Sequence, residues 1–167
     1  MEILDSGNRR EFESGAVRDI AEGKGRCDLL PLIEVSAVLG NDSILKNIGE
    51  YVESGFPCYL NRAIGEFTVK RNWDLSTAMI EVSKHYEDGA NKYAERNWEK
   101  GIPLHCYIDS GVRHYLKYLR GDADERHDRA FIWNLLGALW TAKNKPELID
   151  LPFKEDKNGS ISNSSDT

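Results

Sequence analysis

The chain has few cysteines and lacks any long apolar run. Its three cysteines, Cys27, Cys58 and Cys106, are far apart and include no Cys-x-x-Cys pair, so the sequence predicts neither a disulfide framework nor a zinc site. No segment approaches the roughly 20 apolar residues that a membrane span needs. The N-terminus also shows no basic stretch followed by an apolar core, as a secretory signal would have. We therefore expect a cytoplasmic protein with no membrane partner.

An excess of positive charge is lacking as well. The 167 residues include 22 Lys and Arg but 28 Asp and Glu, which gives a net charge of −6 and a pI near 5.3. Proteins that bind duplex nucleic acid normally carry a basic surface, so we expect no duplex nucleic acid partner. A small anionic ligand needs only a local cluster of Lys and Arg.

Length and hydrophobic content predict a single domain. With 40% hydrophobic residues, the chain can bury a core. We place one helical domain at residues 14–150 and a flexible arm at residues 1–13, which are polar and show no period. Residues 151–167 are predicted to be a disordered tail, because the sequence turns to Lys, Asp, Gly, Ser and Asn there.

Helical periodicity and capping residues predict the fold class. Apolar residues recur at steps of three and four between capping residues and terminal glycines. The predicted helices begin at Pro31, at Asp42 or Ser43, at Asp74 or Ser76, at Asp109 or Ser110 and near Asp124. Residues 59–72 are predicted to form a short helix or an irregular hairpin. We expect a compact all-α helical bundle with an irregular glycine-rich N-terminal loop.

The last helix is predicted to be central, because apolar residues cover most of its circumference. One strip of it is polar and includes His127 and Asn134. Buried polar groups are costly without partners, so these two residues belong either to an internal hydrogen-bond network or to a ligand site. His114, on the preceding helix, lies nearly opposite that helix's apolar stripe and is expected to face water, a ligand or a second subunit.

Basic residues next to glycines predict a phosphate site. Gly23 and Gly25 flank Lys24, and Arg26 follows, so backbone N–H groups and two cations can converge on a phosphate. The spacing is not that of a P-loop, and a basic turn before a helix is an equally good interpretation. Further candidate phosphate ligands are Lys92, Arg96 and Arg113. Tyr93 and Trp98 are candidates for stacking on a base, and Asn97 and Asn134 for hydrogen-bonding its edge.

Three acids precede the last helix. Asp122, Asp124 and Glu125 lie within four positions, and two interpretations are open. Carboxylates at a helix N-terminus cap the helix and interact favourably with its dipole. They can equally hold Mg²⁺, which prefers carboxylate oxygens, water and substrate phosphates.

Together these motifs resemble the phage and bacterial family described as dATP/dGTP diphosphohydrolase, N-terminal. The resemblance extends over most of the chain from Ser14 to Ala142. Its motifs here are Ser14-Gly15-Ala16-x-Arg18-Asp19, Gly23-Lys24-Gly25-Arg26-x-Asp28-Leu29-Leu30-Pro31, Gly89-Ala90-x-Lys92-Tyr93-x-x-Arg96-Asn97-Trp98-x-Lys100-Gly101, Asp109-Ser110, Arg113-His114, Gly121-Asp122-x-Asp124-Glu125, His127 and Trp133-Asn134. Residues 33–73 look like an insertion relative to the family.

The resemblance implies a nucleotide-binding domain that removes pyrophosphate from a purine deoxynucleotide. The substrate would be dGTP or dATP, the products dNMP and pyrophosphate, and the cofactor Mg²⁺ or Mn²⁺. In some phages such an activity serves nucleotide-pool remodelling, which would place the protein in the host cytoplasm. Under this hypothesis Asp122, Asp124 and Glu125 hold metal, and His114, His127 and Glu125 act in catalysis. Lys24, Arg26, Lys92, Arg96 and Arg113 then bind phosphates.

Two broader families offer partial comparisons. All-α pyrophosphohydrolases of MazG type carry a Glu-x-x-Glu pair on one helix, and no such pair stands in a persuasive position here. Their sites form between subunits, so a homo-oligomer is expected by analogy. His127-Asp128 invites comparison with HD phosphohydrolases, although the later Asp of that motif is not evident.

The alternative function is a nucleotide-binding module that sequesters its ligand without hydrolysis, as in anti-defence. A scaffold protein is a third hypothesis.

Overall fold

Six α-helices form most of the part of the chain that the computed structural model describes, which is residues 7–154. The all-α bundle predicted from the sequence is confirmed. The helices are α1 (Leu32–Val38), α2 (Ser43–Ser54), α3 (Pro57–Lys70), α4 (Leu75–Lys92), α5 (Leu104–Arg120) and α6 (His127–Asn144). Short 3-10 turns lie at Cys27–Leu29, Asn97–Lys100 and Pro146–Leu148. None of the helices in this part of the chain is both long and apolar enough to cross a membrane.

Helix α6 is the central helix, as its apolar circumference predicts. It packs against α3, α4 and α5, and most of its first three turns are buried. The crossing with α5 is especially close. A Cβ atom added at Gly137 would lie 2.2 Å from the ring of Tyr107, so a glycine is needed for the two helices to approach.

Two of the predicted helix starts are confirmed by their capping bonds, and one is wrong. The Asp42 side chain accepts a hydrogen bond from Leu45 N at the start of α2, and Asp74 does the same from Thr77 N at the start of α4. Helix α5 begins at Leu104 rather than at Asp109 or Ser110. Asp109 is not a cap because its buried carboxylate accepts a bond from Cys27 N at 2.7 Å.

The N-terminal segment contains a small sheet that the sequence did not predict. Strand β1 (Arg9–Glu11) pairs in antiparallel fashion with β2 (Val17–Asp19). The expectation of a flexible arm over residues 1–13 is therefore wrong for residues 9–11. The hairpin is anchored to the connection between α4 and α5, since the Ser14 hydroxyl donates to Gly101 O. The rest of the predicted arm, residues 1–6, lies outside the described part of the chain.

Helices α1 to α3 occupy the segment that we predicted as an insertion. Whether it is one stays a prediction, but α3 contributes to the core. The ring of Phe67 lies 4.6 Å from Phe131 and 6.0 Å from Tyr115, measured between centroids. Residues 59–72 are thus mostly helical rather than a hairpin.

The segment after α6 packs back onto α2. The ring of Phe153 contacts Tyr51 at 5.6 Å, and Lys154 pairs with Glu53 at 2.6 Å. The disordered tail predicted from residue 151 therefore does not begin there. Residues 155–167 lie outside the described part of the chain.

Candidate active site

A cavity of about 480 Å³ opens between strand β2, the loop after it, α4, the turn at Asn97–Lys100, α5 and α6. This volume is typical of small-molecule sites. Ten of the residues predicted for the site line it: Lys24, Tyr93, Arg96, Asn97, Trp98, Arg113, His114, Asp124, Glu125 and Asn134. The fold therefore brings together the glycine loop, the turn after α4, one face of α5 and the acidic loop before α6.

Four predicted residues are not among those lining the cavity. Arg26 forms an exposed two-bond pair with Asp28, at 2.7 and 2.6 Å. Lys92 is buried against Asp19, with 2.8 Å between Nζ and Oδ2. Asp122 pairs with Arg120, 2.7 Å from its Nε. The geometry does not support these three residues as part of the site. The fourth, His127, contacts the cavity-lining residues His114 and Asp124 from behind.

Arg18 is a cavity-lining cation that sequence analysis missed. Its guanidinium reaches Cys106 O at 3.3 Å, Ser110 Oγ at 3.2 Å and Asn134 Oδ1 at 3.2 Å. Burial lowers the pKa of Arg18 below its usual range, although the nearby Tyr107 opposes this effect. Its acceptors are neutral, and no carboxylate of residues 7–154 forms an ion pair with it. The signal was present in the sequence, because Asn134 on the buried polar strip needed a partner.

Two further cations line the cavity without a carboxylate partner among the described residues. Arg10 donates to Cys106 Sγ at 3.5 Å, and its Nε is buried with no acceptor. Lys24 lies exposed at the mouth. Together with Arg18 they give one side of the cavity a positive charge that no carboxylate of residues 7–154 neutralises, despite the net charge of −6.

Arg113, by contrast, is neutralised. It forms two bonds of 2.6 Å to Asp109 and donates to Gly25 O at 2.9 Å and to Lys24 O at 3.3 Å. These contacts give Arg113 a structural role, and they do not support the prediction that it binds phosphate. Arg113 holds the glycine loop in place and so positions Lys24 at the cavity.

The two asparagines predicted to bind a base edge are engaged with the protein. Asn97 accepts from Val17 N and donates to Val17 O, both at 2.9 Å. Asn134 donates to Ala130 O at 2.8 Å and accepts from Arg18. Asn97 thus attaches strand β2 to the turn after α4, and Asn134 orients Arg18.

Aromatic side chains form another part of the wall. Trp98 and Trp133 line the cavity with Tyr86 between them, at centroid distances of 5.7 and 6.0 Å. His85 lies 5.7 Å from Trp133. Burial, with a smaller effect of Arg18, lowers the pKa of His85 to about 4. This side of the cavity suits the flat rings of a nucleobase.

Imidazole and carboxylate groups form a cluster at the start of α6, beside α5. The Nδ1 atoms of His114 and His127 are 3.0 Å apart, and Glu125 Oε1 lies 3.5 Å from the first and 3.7 Å from the second. The other ring nitrogen of His127 bonds to Asp124 Oδ1 at 2.7 Å. Asp124 is also paired with Lys117 at 3.0 Å, and these two bonds lower its pKa to about 2. Burial and the adjacent His127 hold the pKa of His114 well below its usual range.

The three acids do not converge on one ion. Asp122 and Asp124 approach each other beside His127, whereas Glu125 groups with His114 and His127. Mg²⁺ prefers an all-oxygen shell, so the Mg²⁺ site predicted from Asp122, Asp124 and Glu125 does not fit this arrangement. The HD-type comparison also fails, because Asp128 bonds to Arg71 and Arg126 at 2.9 Å and not to the histidines.

Residues 68–151 match the family model described as dATP/dGTP diphosphohydrolase, N-terminal. The chain belongs to this family. The match covers α4, α5, α6 and the acidic loop, and thus both histidines and Glu125. The motifs from Ser14 to Pro31 lie outside it, so the resemblance seen in the sequence extended further than the match. None of the curated proteins or solved structures that were compared matches the chain.

The family's description names a hydrolase that acts on purine deoxynucleoside triphosphates. This supports a deoxynucleotide as the ligand. A triphosphate is an anion, and the cavity presents unneutralised cations next to an aromatic wall. The site and the family match therefore point to the same class of ligand.

Proposed function

We propose that the protein is a nucleoside triphosphate pyrophosphohydrolase that converts dGTP or dATP to the monophosphate and pyrophosphate. The observation that carries this proposal is the cavity itself. Arg10, Arg18 and Lys24 line it without carboxylate partners among the described residues, and the imidazole and carboxylate cluster lies on the same cavity. Such cations are costly to leave unpaired, and a polyphosphate would neutralise them.

The aromatic side of the cavity accommodates the base. Stacking on an indole or phenol ring tolerates either purine, so Tyr86, Trp98 and Trp133 account for binding of a base rather than for a choice between guanine and adenine. Arg18 lies within cation–π distance of Trp133, 5.5 Å from the ring centroid. The base and the phosphates are therefore held by adjacent groups.

Hydrolysis requires a water molecule placed on the far side of the α-phosphorus from the leaving group. Glu125 and His114 line the cavity and are the groups that would orient this water. The water oxygen forms a bond to the α-phosphorus while the bond from that phosphorus to the bridging oxygen breaks. Pyrophosphate departs with the electron pair of the broken bond, and the water's proton passes to a carboxylate oxygen of Glu125. Arg18 and Arg10 stabilise the charge that develops on the phosphate oxygens.

Incubating the purified protein with each of the four dNTPs and with Mg²⁺ or Mn²⁺ tests the proposal. Nucleotide chromatography should show the monophosphate, with an equal amount of pyrophosphate, from dGTP or dATP. Absence of monophosphate from every dNTP under both metals would falsify the proposal. If a dNTP binds with a measurable Kd but is recovered intact, the sequestering alternative is supported instead. The dependence on Mg²⁺ or Mn²⁺ stays a prediction that the same assay reads out.

Three further expectations stay predictions. A homo-oligomer is expected by analogy and is tested by sedimentation of the purified protein. A cytoplasmic location and a role in phage nucleotide-pool remodelling depend on the genetic context in which the chain is expressed. A pyrophosphohydrolase that acts on the nucleotide pool would have to be located in the cytoplasm, where that pool is.

A further inference from the structure

The imidazole and carboxylate cluster beside the cavity has the composition of a metal site. His114, His127 and Glu125 each direct one ligand-type atom at the same point, with separations of 3.0, 3.5 and 3.7 Å. The side chain of His127 is almost fully buried, at 1% exposure, whereas His114 and Glu125 also line the cavity. An ion held here would therefore face the ligand.

The separations fit ligands on one ion. With metal–ligand bonds of about 2.1 Å, two ligands are about 3.0 Å apart at 90° and about 3.6 Å apart at 120°. The observed separations span this range. A hydrogen bond between the two imidazoles accounts for the 3.0 Å contact alone and gives no role to Glu125 at the same point.

The lack of a lysine or arginine partner for Glu125 among residues 7–154 is a second observation. Its side chain is only 16% exposed, and none of these basic residues lies within ion-pair distance of its carboxylate. By contrast, Asp122 has Arg120 and Asp124 has Lys117. Partly buried carboxylates normally have a cationic partner, and a divalent cation between Glu125 and the histidines would supply one.

His127 has the hydrogen-bond partner that metal-ligating histidines usually have. A ligating histidine commonly donates its other ring N–H to a carboxylate, which sets its tautomer and orientation. The Nε2 atom of His127 bonds to Asp124 Oδ1 at 2.7 Å, which leaves the lone pair of Nδ1 directed at His114 and Glu125. Lys117 in turn holds Asp124 at 3.0 Å.

We propose that His114, His127 and Glu125 bind one first-row transition-metal ion, such as Mn²⁺, Fe²⁺, Co²⁺ or Zn²⁺, and that Asp124 orients His127. Two imidazoles and one carboxylate on one side of an ion suit these metals, whereas Mg²⁺ prefers oxygen ligands. When bound, such an ion supplies a Lewis acid for a phosphate oxygen and for water. Only this role in the reaction rests on the proposed function, because binding of the ion needs no nucleotide.

Titration of chelator-treated protein with Co²⁺, without nucleotide, tests the site. One equivalent should bind and develop a visible absorption band, and a millimolar excess of Mg²⁺ should not displace it. His114→Gln and Glu125→Gln should each weaken binding by on the order of 100-fold, since each removes a ligand. Asp122→Asn is the matched control, because Asp122 lies outside the cavity lining, and it should bind Co²⁺ as the wild type does.

X-ray absorption at the cobalt edge of the wild-type complex gives a readout that needs no variant. It should show two imidazole ligands at about 2.1 Å. The proposal is overturned if folded wild-type protein binds no Co²⁺ saturably, if the bound ion has no imidazole ligands, or if Asp122→Asn abolishes binding while Glu125→Gln does not. Co²⁺ binding in a protein that hydrolyses no dNTP would defeat the proposed function and leave the metal site standing.

Discussion

Replacing Arg18 with methionine removes a cation from the cavity wall while keeping most of the aliphatic volume of the side chain. In the proposed complex the guanidinium donates to phosphate oxygens, and a hydrogen bond to a charged group contributes about 1.5–3 kcal/mol. Loss of two such bonds, partly offset by water, should cost about 3 kcal/mol, or on the order of 100-fold in Kd. Binding of dGTP is measured by calorimetry in the presence of a chelator, so that no turnover occurs.

The same substitution should leave the fold nearly as stable as before. In the free protein, Arg18 makes three long bonds of 3.2 to 3.3 Å to neutral acceptors and has no carboxylate partner among the described residues. Partial desolvation of a guanidinium costs several kcal/mol, which is similar to what those bonds return. We expect the free energy of unfolding in urea to change by about 1 kcal/mol or less.

Arg26→Met is the matched control. It removes the same charge from a side chain that is 51% exposed and is not among the residues lining the cavity, so it should change dGTP affinity by less than about twofold. Equal effects of the two substitutions on Kd, or a large loss of stability in Arg18→Met with dGTP affinity intact, would refute the assignment of Arg18 as a phosphate ligand.

Three other predictions concern stability and specificity. Because the pKa of His85 is about 4 in the folded state and about 6.5 in the unfolded state, the unfolded state binds more protons between these values. Stability should therefore fall by roughly 3 kcal/mol as pH drops from about 6.5 to about 4, and urea titrations should show a smaller fall for His85→Gln. Asn97→Ala should lower the free energy of unfolding by about 1–3 kcal/mol and leave the ratio of dGTP to dATP affinity unchanged; a changed ratio would restore the base-reading role. Gly137→Ala should destabilise by about 1–3 kcal/mol or more, since its Cβ would overlap the ring of Tyr107, whereas Gly111→Ala, with its nearest neighbour at 3.4 Å, should be tolerated.

Much of the helical architecture could be predicted because its signals are local. The caps at Asp42 and Asp74 and the end of α2 at Gly55 depend on residues within one turn of the helix end. The central position of α6 follows from its apolar circumference. The β-hairpin could not be predicted in this way, because three-residue strands carry almost no periodic signal and are stabilised by contacts with residues such as Asn97, 80 positions away.

Most of the predicted site residues do line the cavity, and the sequence indicated them because basic, acidic and imidazole residues stand next to its turns. The sequence did not indicate what role each of these residues has. The sequence does not distinguish Arg18 from Arg26 and Arg113 as a phosphate ligand. Each of them is an arginine near a glycine loop or a polar strip. Only the tertiary structure shows that Arg26 and Arg113 have carboxylate partners and that Arg18 has neutral ones.

The physical reason is the range of the interactions. Helix periodicity and capping act over three or four residues, so the sequence by itself determined an all-α chain with a buried final helix and polar turns. Charge compensation acts through space, between residues as far apart in the chain as Asp19 and Lys92. The folded chain therefore decided which cations stay available to an anion, and it grouped Glu125 with His114 and His127 rather than with the acids beside it in sequence.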